Sequence, residues 1–306
     1  MNMLNFEERA TGCLLGLAIG DAVGTTVEFA APGSFQPLTD MVGGGPFRLR
    51  AGQWTDDTSM ALCLAESLLE KQGFDLRDQA ERYVSWWKNG HLSSTGHCFD
   101  IGNTVSAALT AFLITGDPAS GGNNPHSAGN GSIMRLAPIP IFFKDAEDAI
   151  HYAGESSLTT HRVAPAVDAC RYMAGILYGL IHGATKDEVM TPFYHPSGTP
   201  WNPSDLDPSI ATIAAGSFKE RQPPEIRGTG YVVHSLEAAL WAFHHGRNFR
   251  ECVLLAVNLG DDADTTGAIC GQFAGASYGR SGIPSEWLAK LHDLPLIQNF
   301  ATRLIP

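Results

Sequence analysis

The chain opens on a helical stripe. Apolar residues recur at Phe6, Ala10, Cys13, Leu14 and Leu17, the 3.6-residue period of an amphipathic helix, and predict one over 6–20. The helix expected from near Asp57 carries Met60, Ala61, Leu64, Ala65, Leu68 and Leu69 on one face. A longer one, over 164–182, aligns Val167, Cys170, Ala174, Leu177, Tyr178 and Ile181. Segments 76–88, 105–113, 228–245 and 249–259 read as helices too, and 284–292 as a last short one. After Asp264 come Gly267, Ala268, Gly271, Ala274, Gly275 and Ala276, the small residues of a tightly packed buried helix. Tyr83, Trp86 and Trp87 read as core aromatics. Loops are expected at 31–53, 116–135 and 191–208, where Gly, Pro and Asn gather. No strand-like alternation of useful length, internal repeat or linker interrupts this succession. The expected fold class is all-α, a single compact multi-helix domain over 1–306.

Composition narrows the partners. The 306 residues are 44% hydrophobic and 17% charged, an ordinary globular balance with ample core. Twenty basic against 32 acidic residues leave a net charge of −12, with no basic run. Nucleic acid bound through its phosphates is thereby excluded. Six cysteines without a Cys-x-x-Cys pair fit a reducing compartment, so the protein is expected to be cytoplasmic. The apolar run 13–20 mimics a signal sequence, but no basic region precedes it, so none is expected there. No stretch is expected to be apolar for the roughly 18 residues that cross a bilayer.

Candidate chemistry sits in two stretches about two hundred residues apart. One is Trp54-Thr55-Asp56-Asp57-Thr58; the other runs from Gly260 through Asp261, Asp262, Ala263 and Asp264 to Thr265 and Thr266. Adjacent carboxylates repel, and near an apolar core they need water or a cation. Carboxylate and hydroxyl oxygens without His or Cys suit hard cations such as Mg²⁺, Mn²⁺ or Ca²⁺. Either stretch taken singly reads equally well as a helix cap. Two of them, each opening an apolar or small-residue helix, point to one metal site.

Other residues stay open on local grounds. Glu28, between Val27 and Phe29, is either a solvent-facing acid or a site carboxylate. Asp100 either caps the following helix or belongs to a site. His97 and Cys98 lack partners for zinc. The Gly/Asn/Ser loop 116–135 exposes N–H groups able to cradle phosphate, but no Gly-Lys-Ser/Thr follows. His161 is a cap-region histidine or a ligand donor.

Taken together, these pieces resemble the ADP-ribosylglycohydrolase family. The matching residues are Gly20-Asp21-Ala22-Val23-Gly24 with Glu28, Trp54 to Thr58, Gly129-Asn130-Gly131-Ser132-Ile133-Met134-Arg135, Thr160-His161, and Asp262-Ala263-Asp264-Thr265. They appear in consistent order over most of the chain. The stretch from Gly96 to Thr104 looks like the bacterial arginine-directed branch, which includes the enzyme acting on dinitrogenase reductase. The resemblance implies an all-helical fold with two divalent ions, Mn²⁺ or Mg²⁺, at the bottom of a cleft. Thr55, Asp56, Asp57, Asp262, Asp264 and Thr265 would be the metal ligands, Asp264 bridging, with Glu28 beside them. Asp100, Gly102, Asn103, Asn130, Gly131, Ser132 and His161 would hold ADP-ribose, and Asp100, Asp57 and Glu28 would share the catalysis.

The implied reaction cleaves the N-glycosidic bond between ribose and an arginine guanidinium of an ADP-ribosylated protein, such as dinitrogenase reductase. Carboxylates around the sugar would stabilise its oxocarbenium-like charge. A monomer is expected, and a regulatory partner is left open. The alternatives are another linkage, serine-linked or O-acetyl-ADP-ribose, and a non-catalytic binder of ADP-ribose.

Overall fold

The computed structural model describes residues 4–124 and 127–306; Pro125 and His126, within the expected Gly/Asn loop, lie outside the described residues. Among the described residues the α-helices are, in order, α1 (Phe6–Gly24), α2 (Asp56–Lys71), α3 (Leu76–Asn89), α4 (Asn103–Thr115), α5 (Pro138–Phe142), α6 (Ala146–Ser157), α7 (Ala164–Ile181) and α8 (Lys186–Val189). There follow α9 (Pro208–Ala214), α10 (Ser217–Glu220), α11 (Val232–His245), α12 (Phe249–Val257), α13 (Ala263–Tyr278), α14 (Ser285–Lys290) and α15 (Leu294–Leu304). Helix accounts for 59% of residues, which makes the class all-α. The β-type pairings among the described residues are isolated bridges, such as Gly44 with Leu49 and Gly129 with Tyr231.

The core is built on α1 and α13, an antiparallel pair packed backbone to backbone. Gly12, Gly16 and Gly20 face Gly275, Gly271 and Gly267 in turn, and Gly24 faces Ala263. A Cβ on Gly16 would stand 2.0 Å from the carbonyl oxygen of Gly271, and one on Gly271 would stand 2.0 Å from that of Gly16. Only glycine permits this approach. The ladder sets register: it brings the last turn of α1 against the first turn of α13, and that meeting point carries the site. Helices α7, α11 and α12 pack against α13.

Several expectations need correction. α1 continues past Gly20 to Gly24, because Gly20 is an approach to Gly267 and not a helix end. One stretch, Phe6–Val27, is long and apolar enough to cross a membrane, with a mean hydropathy of 1.4. It is 94% buried within the protein, which accounts for its apolarity. α11 starts at Val232, not at Gly228, because residues 228–231 pair with the site loops: Asp262 N donates to Gly228 O and Asn130 N to Gly230 O. The chain also has helices the stripe pattern did not predict. α6 is capped by Asp145, which accepts from Glu147 N and Asp148 N. α15, beyond the helix expected to be last, tolerates a proline in its first turn, where the missing N–H is harmless.

Candidate metal centre

The two acidic stretches open α2 and α13, yet neither helix uses them as side-chain caps. Thr55 is the N-cap residue of α2 and Asp262 that of α13, and neither makes a capping hydrogen bond through its side chain. Capping therefore does not explain the residues. The Thr55 hydroxyl instead lies 2.9 Å from Asp21 Oδ1, 3.1 Å from Asp264 Oδ2 and 3.3 Å from Asp57 Oδ2. Its single proton can serve only one of these three oxygens.

Asp21 is the residue that sequence reasoning passed over, although it stands within a quoted stretch. It is fully buried in the last turn of α1. Oδ1 accepts from Thr55 N at 2.9 Å, and Oδ2 accepts from Thr58 N at 3.0 Å and Thr58 Oγ1 at 2.6 Å. One carboxylate thus holds the N-terminus of α2 to α1. The signal available in the sequence was an acid set in an apolar helix between two glycines.

With the three helix ends gathered, two carboxylate triads form around Asp264. Asp56, Asp57 and Asp264 make one; Glu28, Asp100 and Asp264 make the other; within each, one oxygen per residue lies within 4.8 Å of the rest. Glu28 is only 5% exposed, which settles its local ambiguity against the solvent-facing reading. Asp100 does not cap α4, whose N-cap is Gly102; it turns towards the site on a left-handed backbone, φ +56°. Thr265 Oγ1 lies 3.4 Å from Asp57 Oδ2. Asp262 stands outside both triads and accepts from Asn130 Nδ2 at 2.7 Å.

The electrostatics call for a cation. Burial, then the charges of Asp100 and Asp57, push the carboxyl of Asp56 well above the carboxylate range. Burial followed by Asp21 does the same for Asp57, and burial followed by Glu28 for Asp264. Glu28 is pushed up to about 10 by burial and by Asp100, and Asp100 to about 7 by burial and by Asp262. Asp57 Oδ1 and Asp264 Oδ1 are buried without a hydrogen-bond partner. All-oxygen donors, orphaned carboxylate atoms and mutual repulsion fit hard divalent ions. Asp264 is common to both triads.

Above the carboxylates lies a cleft of about 780 Å³. Its walls include Gly102, Asn103, Asn130, Gly131 and His161, while Ser132 is buried behind the wall and does not line it. His161 is buried beneath the glycines of the 129–131 turn: a Cβ on Gly129 would stand 2.9 Å from its Nε2. Arg135, buried and aimed at the same turn, donates from Nη1 to Gly131 O at 2.9 Å and from Nη2 to Thr160 Oγ1 at 2.8 Å. The same Thr160 hydroxyl lies 2.8 Å from His161 Nδ1. Burial and the Arg135 charge hold this imidazole neutral, its pKa down to about 3. A larger groove of about 1020 Å³, lined by Pro223, Pro224, Trp241 and Leu254, shares Arg227 and Asp261 with the cleft but has no carboxylate cluster.

Known proteins resemble this chain over most of its length. ADP-ribosylarginine hydrolase Tri1 of Pseudomonas putida is 46% identical over 97% of this chain and 78% of its own length. The ADP-ribosyl-[dinitrogen reductase] glycohydrolase of Rhodospirillum rubrum is 31% identical, over 93% of this chain and 90% of that protein. A solved structure described as an ADP-ribosylglycohydrolase-related protein complex superposes with a TM-score of 0.86 at 41% identity, covering 98% of both chains. The model of the ADP-ribosylglycohydrolase family matches residues 2–306, so this chain belongs to that family.

Proposed function

We propose that this protein is a metal-dependent hydrolase that removes ADP-ribose from a modified arginine side chain. The observation that carries the reading is Asp264 standing in two carboxylate triads, one of them fully buried, at the floor of a cleft. The linkage is supported by two relatives named ADP-ribosylarginine hydrolase, 46% and 44% identical to this chain. Thr55, Asp56, Asp57, Asp264 and Thr265, with Glu28 and Asp100 on the open side, would hold two Mn²⁺ or Mg²⁺ ions; Asp262 would contribute from the rim. Bound ions would supply positive charge that offsets the carboxylate repulsion and fixes the ribose hydroxyls.

The chain's own groups do the rest. Asn103, Asn130 and Gly131 line the wall against which the ADP-ribose lies, with the His161 ring beneath the turn carrying Gly129 and Gly131. As the ribose–guanidinium bond breaks, positive charge moves to the sugar, and Glu28 and Asp100 face it. The guanidinium is already protonated and departs as neutral guanidine once its bonding electrons return to nitrogen. Asp100, an acid that lines the cleft beside Glu28, is placed to take a proton from the attacking water.

The target is a modified protein, and dinitrogenase reductase is a candidate on the strength of the Rhodospirillum rubrum relative. The six free cysteines, five of them buried, support a reducing, cytoplasmic compartment. The test is release of ADP-ribose from arginine-modified against serine-modified protein, with and without Mn²⁺. Arginine-selective, metal-dependent release is expected; equal or serine-selective release would overturn the linkage, and absence of release from both would leave a binding protein.

A further inference from the structure

Both carboxylates on the open side of the cleft have a phenylalanine as chain neighbour: Phe29 follows Glu28, and Phe99 precedes Asp100. Phe47 stands between them, its ring centroid 6.2 Å from that of Phe29 and 5.2 Å from that of Phe99. A tight turn brings Phe47 there, closed by Gly44 N donating to Leu49 O at 2.7 Å and Leu49 N donating to Gly44 O at 2.9 Å. Phe29 is 67% exposed and lines the cleft together with Glu28 and Asp100. Its backbone sits at φ +61°, a costly conformation for a bulky side chain. Two hydrogen bonds hold it there: Phe29 N to Asp261 O at 2.7 Å and Asp261 N to Ala30 O at 2.8 Å. Asp261 immediately precedes the acidic stretch of α13. The fold thus spends backbone strain to keep an aromatic face in solvent at the mouth of the site, where core packing gains nothing from it.

We propose that Phe29, backed by Phe47 and Phe99, is a specificity-determining residue that receives the planar guanidinium of the modified arginine. The inference rests on the arginine-linkage reading and deepens it. With the ribose directed at the floor carboxylates, the leaving group lies towards the mouth, beside Glu28, Asp100 and the Phe29 ring. A guanidinium is planar, cationic and weakly hydrated, and it stacks on aromatic faces. Glu28 and Asp100 add a field that favours a cation at the same place. A serine side chain offers neither plane nor charge, so this contact separates the two linkages. Phe29 takes no part in proton transfer; its effect belongs in KM.

The test compares the wild type with Phe29→Leu, Phe29→Ala and Phe29→Tyr. Steady-state cleavage of ADP-ribosyl-arginine, calorimetric binding of free ADP-ribose and the thermal midpoint are measured for each. Leu and Ala should raise KM roughly 3- to 30-fold, the range of a cation–π contact, and Tyr should restore it. ADP-ribose affinity and the midpoint should hold throughout. An unchanged KM in Phe29→Leu, or a parallel loss of ADP-ribose affinity, would overturn the proposal while leaving the enzyme an arginine hydrolase. A wild type inert on ADP-ribosyl-arginine would overturn the linkage reading and this proposal together.

Discussion

Asp21 on α1 and Thr58 on α2 are joined twice, through the Thr58 amide at 3.0 Å and its hydroxyl at 2.6 Å, both donating to Asp21 Oδ2. With Thr55 taking Oδ1, the carboxylate positions the first turn of α2 and, with it, Asp56 and Asp57. Asp21→Asn would set an NH₂ group against donors on one side. Supporting residues of this kind typically change metal affinity about 10- to 100-fold. The expected outcome is a loss of that size in Mn²⁺ affinity by calorimetry, although Asp21 is not a proposed ligand. Unchanged affinity would show that the α2 turn holds itself in place.

Asp264 is shared by both triads, and the single change Asp264→Ala should weaken both ions, whereas Asp56→Ala should weaken one. Metal analysis after gel filtration distinguishes the cases. Two tightly held ions in Asp264→Ala would rule out the shared-ligand arrangement.

The acidic stretches were legible because adjacent acids opening an apolar helix have few structural uses. Glu28 was not, since a carboxylate between Val27 and Phe29 reads alike whether it faces solvent or a site; its burial depends on packing of the following turn against Asp261. The role of Asp21 was hidden for a similar reason: it needs the end of α1 to meet the start of α2, and local pattern does not show which helix ends meet. A partial signal existed in glycines spaced by four at 12, 16, 20 and 24 and at 267, 271 and 275. α6 escaped because its buried face, including Ala149, Ile150 and Ala153, is short and composed largely of small residues.

The glycine ladder itself makes a prediction. Gly16→Ala would place a Cβ 2.0 Å from a main-chain oxygen that cannot rotate away. Overpacking of this kind costs about 3 kcal/mol or more, read as a thermal midpoint lower by several degrees. Gly175→Ala in α7 is the contrast: its Cβ would meet side chains no closer than 3.4 Å. It should be neutral or gain up to about 1 kcal/mol from reduced backbone entropy in the unfolded chain. Equal midpoints for the two variants would show that α1 and α13 separate readily.

The stability gained from bound metal should grow as pH rises. The carboxyl of Asp100 rises in the folded, metal-free protein to about 7, against about 3.9 unfolded. The folded state therefore binds more protons, and this contribution is present below about pH 4 and lost as pH rises through about 7. Metal-free protein should melt lower at pH 8 than at pH 5. Bound ions need ionised ligands, so the gain from Mn²⁺ should grow over the same interval. Melting curves across that range, with chelator and with Mn²⁺, should diverge as pH increases; a constant gap would show that these carboxylates do not bind the ion.

Asp100 provides the most discriminating substitution. Its left-handed backbone, φ +56°, is one that asparagine adopts readily, so Asp100→Asn keeps shape and turn while removing charge. The residue belongs to the Glu28 triad and not to the Asp56–Asp57 triad. The ion on the α2 side should stay, and the one on the open side should bind more weakly. Were ligation its whole role, excess Mn²⁺ would restore turnover. Were its charge needed for the sugar cation or for deprotonating water, saturating metal would restore binding and leave kcat roughly 10²- to 10⁴-fold low. The second result is expected, because Asp100 faces the cleft in which the sugar cation forms. Single-turnover cleavage of ADP-ribosyl-arginine at rising Mn²⁺ separates the two. Full recovery of the rate would make Asp100 a ligand alone and transfer the base to Glu28 or Asp57.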